Sequence, residues 1–248
     1  MTETLPPARI LHAGDAAFVI ELGETVDPAI NDRILALDAR LREAALPGVT
    51  ELVPTYRSLL VHFDPDAVDG LELLKRLRGL DLEHPGEAPA GRAWTVPVCY
   101  GGEHGVDLEE VAERHGLTVE EAVRLHAGGT YRVYMIGFAP GFAYLGGLDQ
   151  RLHTPRRVNP RLKTPAGSVS IGGIQAAISS VEAPSGWHLL GQTPVRAFDP
   201  EREPPFLFAA GDTVRFRPID AAEFAALAAR AADGDPLIRP EPASEHAS

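Results

Sequence analysis

Five basic side chains, Arg151, Arg156, Arg157, Arg161 and Lys163, fall within thirteen residues that contain no acid. The chain as a whole carries a net charge of −12. A local basic patch on an acidic protein suits a small anion. The overall charge argues against nucleic acid, whose phosphates need a basic face. Just upstream, residues 137–145 read GFAPGFAYL, with Phe138, Phe142 and Tyr144 crowded together in a chain that is only 6% aromatic. Pro140 removes a backbone donor, and Gly137 and Gly141 permit angles other residues avoid, so this run is a shaped loop presenting rings. In Pro165-Ala166-Gly167-Ser168 the backbone N–H groups form either an anion nest, with the Ser168 hydroxyl as an extra donor, or a tight turn between strands. His126 is a candidate acid or base by its near-neutral unperturbed pKa; its place near a helix end also suits capping.

The usual enzymatic motifs are missing. There is no GxxxxGK[ST] phosphate loop, no HExxH, no His pair at metal-ligand spacing and no GxSxG elbow. The single Cys99 precludes an internal disulfide and a Cys-cluster metal site. A reducing cytoplasm fits that count. The first seven residues lack the features of a signal peptide, and no apolar run reaches the roughly 18 residues of a membrane span.

The elements that must position these residues divide near residue 90, at the Pro- and Gly-rich stretch 84–92. Before it, 18–22, 49–53 and 58–63 read as strands. Asp27 caps a helix starting at Pro28, with Ile30, Ile34, Leu37 and Leu41 on one face. A second helix over 66–77 turns Leu71, Leu74 and Leu77 inward. Residues 93–98 form a strand of either this unit or the next. Two helices over a small antiparallel sheet make an α+β domain, 1–90, of the split-βαβ, ferredoxin-like kind. Beyond residue 91, Asp107 with Glu110 and Thr118 with Glu121 have capping-box spacing, so a helix pair is inserted there. From 131 to 218 short strands alternate with Gly and Pro, as in a closed or nearly closed β-barrel filling 91–220. A terminal helix and a frayed tail account for 221–248.

The chemistry-bearing motifs come in a fixed order. GFAPGFAYL is followed by Thr154-Pro155-Arg156-Arg157 and Asn159-Pro160-Arg161, then Pro165-Ala166-Gly167-Ser168, then Ser185-Gly186-Trp187 and Gly191-Gln192-Thr193-Pro194. This succession resembles the family of 5-oxoprolinase B subunits, also called the KipI or allophanate hydrolase subunit 1 family. The likeness runs from His12-Ala13-Gly14-Asp15 to Gly211-Asp212-Thr213-Val214. It implies a cyclophilin-like barrel after the α+β domain. It also implies a cytoplasmic, ATP-dependent enzyme, with Mg, that opens 5-oxo-L-proline to L-glutamate together with the A and C components of a 5-oxoprolinase. Family relatives instead handle urea or allophanate, or inhibit a sensor histidine kinase.

A carboxylate substrate calls for arginine, which binds it bidentately. Under the resemblance Arg132, Arg156, Arg157 and Arg161 are the candidates, with His126 and Arg132 as catalytic groups. Phe138, Phe142, Tyr144 and Trp187 would wall a pocket for a flat lactam or an adenine or, alternatively, serve packing or a subunit interface. Gly167, Ser168 and Gln175 would complete substrate binding, and no metal ligand is expected. Three departures leave the substrate open: Ala177-Ile178-Ser179-Ser180 in place of a Gly-Ile-Tyr-Pro-like stretch, Ser185 in place of a Gly, and Gln192 in place of an Arg.

Overall fold

Asp27 starts the first helix. In the computed structural model, which describes residues 7–241, its carboxylate accepts the N–H groups of Ala29 and Ile30 at 2.7 and 3.4 Å. Pro28 follows at the first helical position, where its missing N–H is no loss.

The first compact unit covers residues 1–90. Its elements are β1 (Arg9–His12), β2 (Ala17–Glu21), α1 (Pro28–Ala44), β3 (Val49–Pro54), β4 (Ser58–Phe63) and α2 (Gly70–Arg78). The sheet order is β1-β2-β4-β3, and every pairing is antiparallel. Because β2 and β3 both run against β4, they are parallel to each other with β4 between them. That is a split βαβ unit, with α1 as its crossover. Phe18, Ile20, Leu59, Val61 and Phe63 meet Ile30, Ile34, Leu37 and Leu41 in one core. Each such aliphatic side chain, fully buried, contributes about 1.5–3 kcal/mol.

Two local expectations change here. The sequence pattern misses β1, because its mostly exposed face carries no apolar alternation. The second helix begins at Gly70, where Asp69 accepts from the Leu71 and Glu72 amides. Leu71 then falls in the first turn and faces water, and Leu73 takes its place in the core.

The second compact unit covers residues 91–248. It contains β5 (Ala93–Tyr100), α3 (Leu108–Arg114), α4 (Val119–Ala127), β6 (Thr130–Ile136), β7 (Ala143–Gly146), β8 (Arg161–Thr164), β9 (Ser168–Gly172), β10 (Gln175–Ile178), β11 (Ala183–Ser185), β12 (His188–Gln192), β13 (Thr213–Ile219) and α5 (Ala221–Ala232). Seven strands close a barrel in the order β10-β7-β6-β13-β5-β12-β9. The strand left unassigned by sequence, β5, belongs to this barrel and pairs in parallel with β13. Alternate residues such as Trp94, Val96 and Val98 point into the core. The helices α3 and α4 pack on it through Leu108, Val111, Ala122 and Leu125.

The strands β8 and β11 form a separate ribbon outside the barrel, and β8 begins at Arg161 of the basic run. After α5 the chain does not fray at once. Leu237 and Ile238 pack on the barrel core, and the Glu241 amide donates to the Ala93 carbonyl at 2.8 Å. The signal-peptide reading and the end of the tail fall on residues 1–6 and 242–248, which lie outside the described residues. Among the described residues no helix is long and apolar enough to cross a membrane.

Candidate functional site

The aromatic loop joins β6 to β7 as a tight turn. Gly137 N–H donates to the Phe142 carbonyl, Phe142 N–H donates to Ala139, and the Ser180 hydroxyl donates to the Pro140 carbonyl. Within it Phe138 adopts φ +67° and leaves its ring 69% exposed. A non-glycine residue in this left-handed region costs about 1–2 kcal/mol, so the loop spends stability to present that ring.

Below Phe138 the rings of Phe142, Tyr144 and Trp187 pack with centroids 4.8–6.3 Å apart, at tilted to perpendicular angles. Trp187 lies flat against Gly172, where any Cβ would come within 2.8 Å of the indole. The Arg156 guanidinium sits 5.4 Å from the Trp187 ring centre, within cation–π range. These groups, with Arg157, Pro160, Pro184, Ser185 and Gly186, line a cleft of about 240 Å³. That is below the roughly 300 Å³ at which drug-sized sites begin, so the cleft suits a small molecule. Burial pushes the Tyr144 phenol up, against the opposing pull of Arg156, so it remains a neutral hydrogen-bonding group.

Of the residues singled out by sequence, this cleft gathers Phe138, Phe142, Tyr144, Arg156, Arg157 and Trp187. The others lie elsewhere. Arg161 is held bidentately by Asp107, at 2.6 and 2.8 Å. Arg132 lies over the Tyr134 ring on β6, and Gln175 opens β10 opposite Gly172. The 165–168 segment is a turn and offers no nest. Gly167 N–H is taken by Ser179, and both the amide and the hydroxyl of Ser168 donate to Pro165. Two of the departures are also explained by position. Gln192 bridges His104 and the Ala166 carbonyl away from the cleft, whereas Ser185 lines it and accepts the Trp187 amide.

His126 is corrected as a cleft acid or base. It is fully buried between α4 and the barrel, its ring stacked on Phe216 and its Nδ1 2.8 Å from the Tyr100 hydroxyl. Its Nε2 has no partner, and burial pushes its pKa from 6.5 down to about 3. The fold therefore favours the neutral ring. That preference contributes fully above pH 6.5 and is lost as pH falls from 6.5 towards 3. Each pH unit in that window removes up to about 1.4 kcal/mol. Urea unfolding of His126→Phe should show a flatter stability profile over this range than the parent; equal slopes would assign the acid sensitivity to other groups.

Asp107 escapes the sequence pattern, which reads it as a helix cap. It is buried, and its side chain makes no cap hydrogen bond. One oxygen accepts from Arg157 and Arg161, and the other from Arg161 and the Leu189 amide. Asp107, Glu110 and His188 bring ligand-type atoms within 4.8 Å of one another. With four donors already on Asp107 and two guanidinium charges alongside, the cluster does not suit a divalent cation.

A family model described as carboxyltransferase domain, subdomain C and D, matches residues 8–208, and the chain belongs to that family. The B subunit of 5-oxoprolinase from Bacillus subtilis (strain 168) is 40% identical over 220 residues, spanning 84% of this chain and 91% of that protein. The family resemblance carried by the motifs is thereby established. The crystal structure of TTHA0988 superposes with a TM-score of 0.75 at 40% identity over 83% of this chain, which spans only 40% of that longer one. The Kluyveromyces lactis urea amidolyase matches 97% of this chain with a TM-score of 0.81 at 22% identity, a likeness of fold, and this chain spans 16% of it.

Proposed function

We propose that the chain is the B subunit of an ATP-dependent 5-oxoprolinase and that its cleft holds the carboxylate-bearing lactam 5-oxo-L-proline. The observation that carries this reading is the pairing of flat aromatic walls with Arg156 and Arg157 in a cleft of about 240 Å³. The rings pack the faces of the lactam, and a guanidinium takes its carboxylate through charge-assisted hydrogen bonds. The relative from Bacillus subtilis, itself named for 5-oxoprolinase, supports the same reaction. The lactam C–N bond is hydrolysed to give L-glutamate.

Within this reading the chain binds and orients substrate. Among the described residues Tyr144 is the one titratable group other than arginine along the cleft, and burial keeps it neutral. ATP and Mg²⁺ belong to the enzyme assembled with its A and C components. The part proposed for this chain's cleft is to hold the lactam. A second reading, inhibition of a sensor histidine kinase, draws on the exposed Phe138, Val158 and Leu162 side chains.

The test combines the purified chain with its A and C partner components, 5-oxoproline and ATP, and measures glutamate. Glutamate that depends on all three proteins supports the enzyme. Its absence, with turnover of urea or allophanate or with suppressed kinase autophosphorylation, would replace the substrate or the function accordingly.

A further inference from the structure

We infer that Asp107 is a positioning residue for the cleft, resting on the reading of that cleft as a carboxylate site. Three observations carry this. The first is a broken local rule. Asp107 begins α3 with Glu110 three residues on, the spacing of a capping box, yet its side chain caps nothing. The second helix of the pair shows the contrast, since Thr118 and Glu121 make both reciprocal bonds. A residue that leaves its local role in a buried place is held there by something else.

The second observation is what the carboxylate holds. It takes Arg157 Nη1 at 3.1 Å, Arg161 Nη2 and Nη1 at 2.6 and 2.8 Å, and the Leu189 amide at 2.8 Å. Arg157 and Arg161 flank the turn containing Pro160, a cleft wall, and Leu189 follows Trp187 by two residues. One buried anion thus ties a cleft-lining arginine, Arg157, to two segments that adjoin the lining, at Arg161 and Leu189. The Arg157 amide adds a bond to the Gly186 carbonyl at 2.7 Å, so backbone and side chain are both fixed.

The third observation is the part of the guanidinium left over. Arg157 lines the cleft, and its Nε is buried with no protein partner. Nε is shut off from solvent and so from any ligand, which leaves the exposed remainder of the guanidinium to meet a carboxylate in the cleft, the side chain being 26% exposed. The hold of Asp107 on Nη1 fixes the direction in which that remainder points. Asp107 thereby sets the direction of an arginine while making no contact with substrate itself.

The assembled enzyme carrying Asp107→Asn should show a KM for 5-oxoproline raised about tenfold or more, as expected for a misaligned charge-assisted hydrogen bond. Its kcat should stay within a few-fold, and its KM for ATP should not change. In the full chain alone, the Arg157 Nε–H resonance, assigned with Arg157→Lys, should broaden or move to the free-arginine position in Asp107→Asn. An unchanged KM with a lowered melting temperature overturns the inference and leaves a merely structural ion pair. An unchanged Arg157 resonance overturns it as well. Should the wild-type assembly release no glutamate, the substrate reading fails separately, and the resonance alone decides whether Asp107 positions Arg157. If Asp107→Asn does not fold, Asp107→Glu keeps the charge on a longer arm and should give the same two changes.

Discussion

Replacing Asp212 by alanine lowers the stability of the barrel by about 3–5 kcal/mol, the range for breaking a buried ion pair from one side. The carboxylate is 2% exposed. It accepts the Arg92 amide at 2.9 Å, Arg92 Nε at 3.3 Å and Nη2 at 2.8 Å, Trp94 Nε1 at 2.9 Å and the Ala209 amide at 3.0 Å. Alanine leaves these donors without an acceptor, and each buried orphan costs about 1–3 kcal/mol, with solvent rescuing those nearest the surface. Against a typical total of about 5–15 kcal/mol, this is a large share. The same bonds join the start of β5 to the approach to β13, the one parallel pair of the barrel, so closure itself depends on them. Both tryptophans, Trp94 and Trp187, lie in the second unit, so fluorescence-monitored urea unfolding reports that unit directly. A loss below about 1 kcal/mol for Asp212→Ala would show that Arg92 and Trp94 find other acceptors.

The second large effect falls on activity. Arg156→Ala should raise the KM for 5-oxoproline roughly tenfold to a hundredfold, the equivalent of one charge-assisted hydrogen-bonded contact of about 1.5–3 kcal/mol. The melting temperature should hardly move. Arg156 is exposed and forms no salt bridge among the described residues; its contact is the Trp187 ring. That contact is worth about 0.5–1 kcal/mol at an exposed site, which sets the small stability change. Arg156→Lys keeps the charge and loses the planar fork, so it should recover only part of the lost affinity. Equal KM values for all three proteins would remove Arg156 from substrate binding and move the carboxylate to Arg157 or out of the cleft. Arg156 and Asp107 therefore separate cleanly: one acts by contact, the other through a neighbouring arginine.

Local chemistry made much of the fold readable. Asp27-Pro28 marked a helix start because capping and a fixed φ act within a few residues. The apolar face of α1 followed from its spacing, and the Gly- and Pro-divided texture beyond residue 131 pointed to a barrel. The edge strand β1 was not readable, because an exposed edge has no buried alternation to reveal it. The start of α2 slipped because Asp66 and Asp69 are both plausible caps, and only the packing of Leu73 decides between them.

The cleft divides along the same line. Its aromatic walls were legible because an odd cluster of rings, glycine and proline is a local feature of composition. The roles of the arginines were not, since a guanidinium's partner can come from anywhere in the chain. Arg161 and Arg157 meet an aspartate that sits 54 and 50 residues away. His126 shows the same limit from the other side. Its type announces acid–base chemistry, and only its burial against Phe216 shows that the proton it would exchange cannot reach the cleft.

By itself the amino-acid sequence determined the family, the split-βαβ and barrel classes, and the loop that presents Phe138 and its neighbouring rings, because capping, periodicity and turn chemistry are short-range. Tertiary structure alone decided which of Arg132, Arg156, Arg157 and Arg161 face the cleft, and that Asp107 leaves its helix to hold two of them. Electrostatic pairing in a closed barrel is set by which distant segments are brought within a few ångströms, and that distance is a property of the fold.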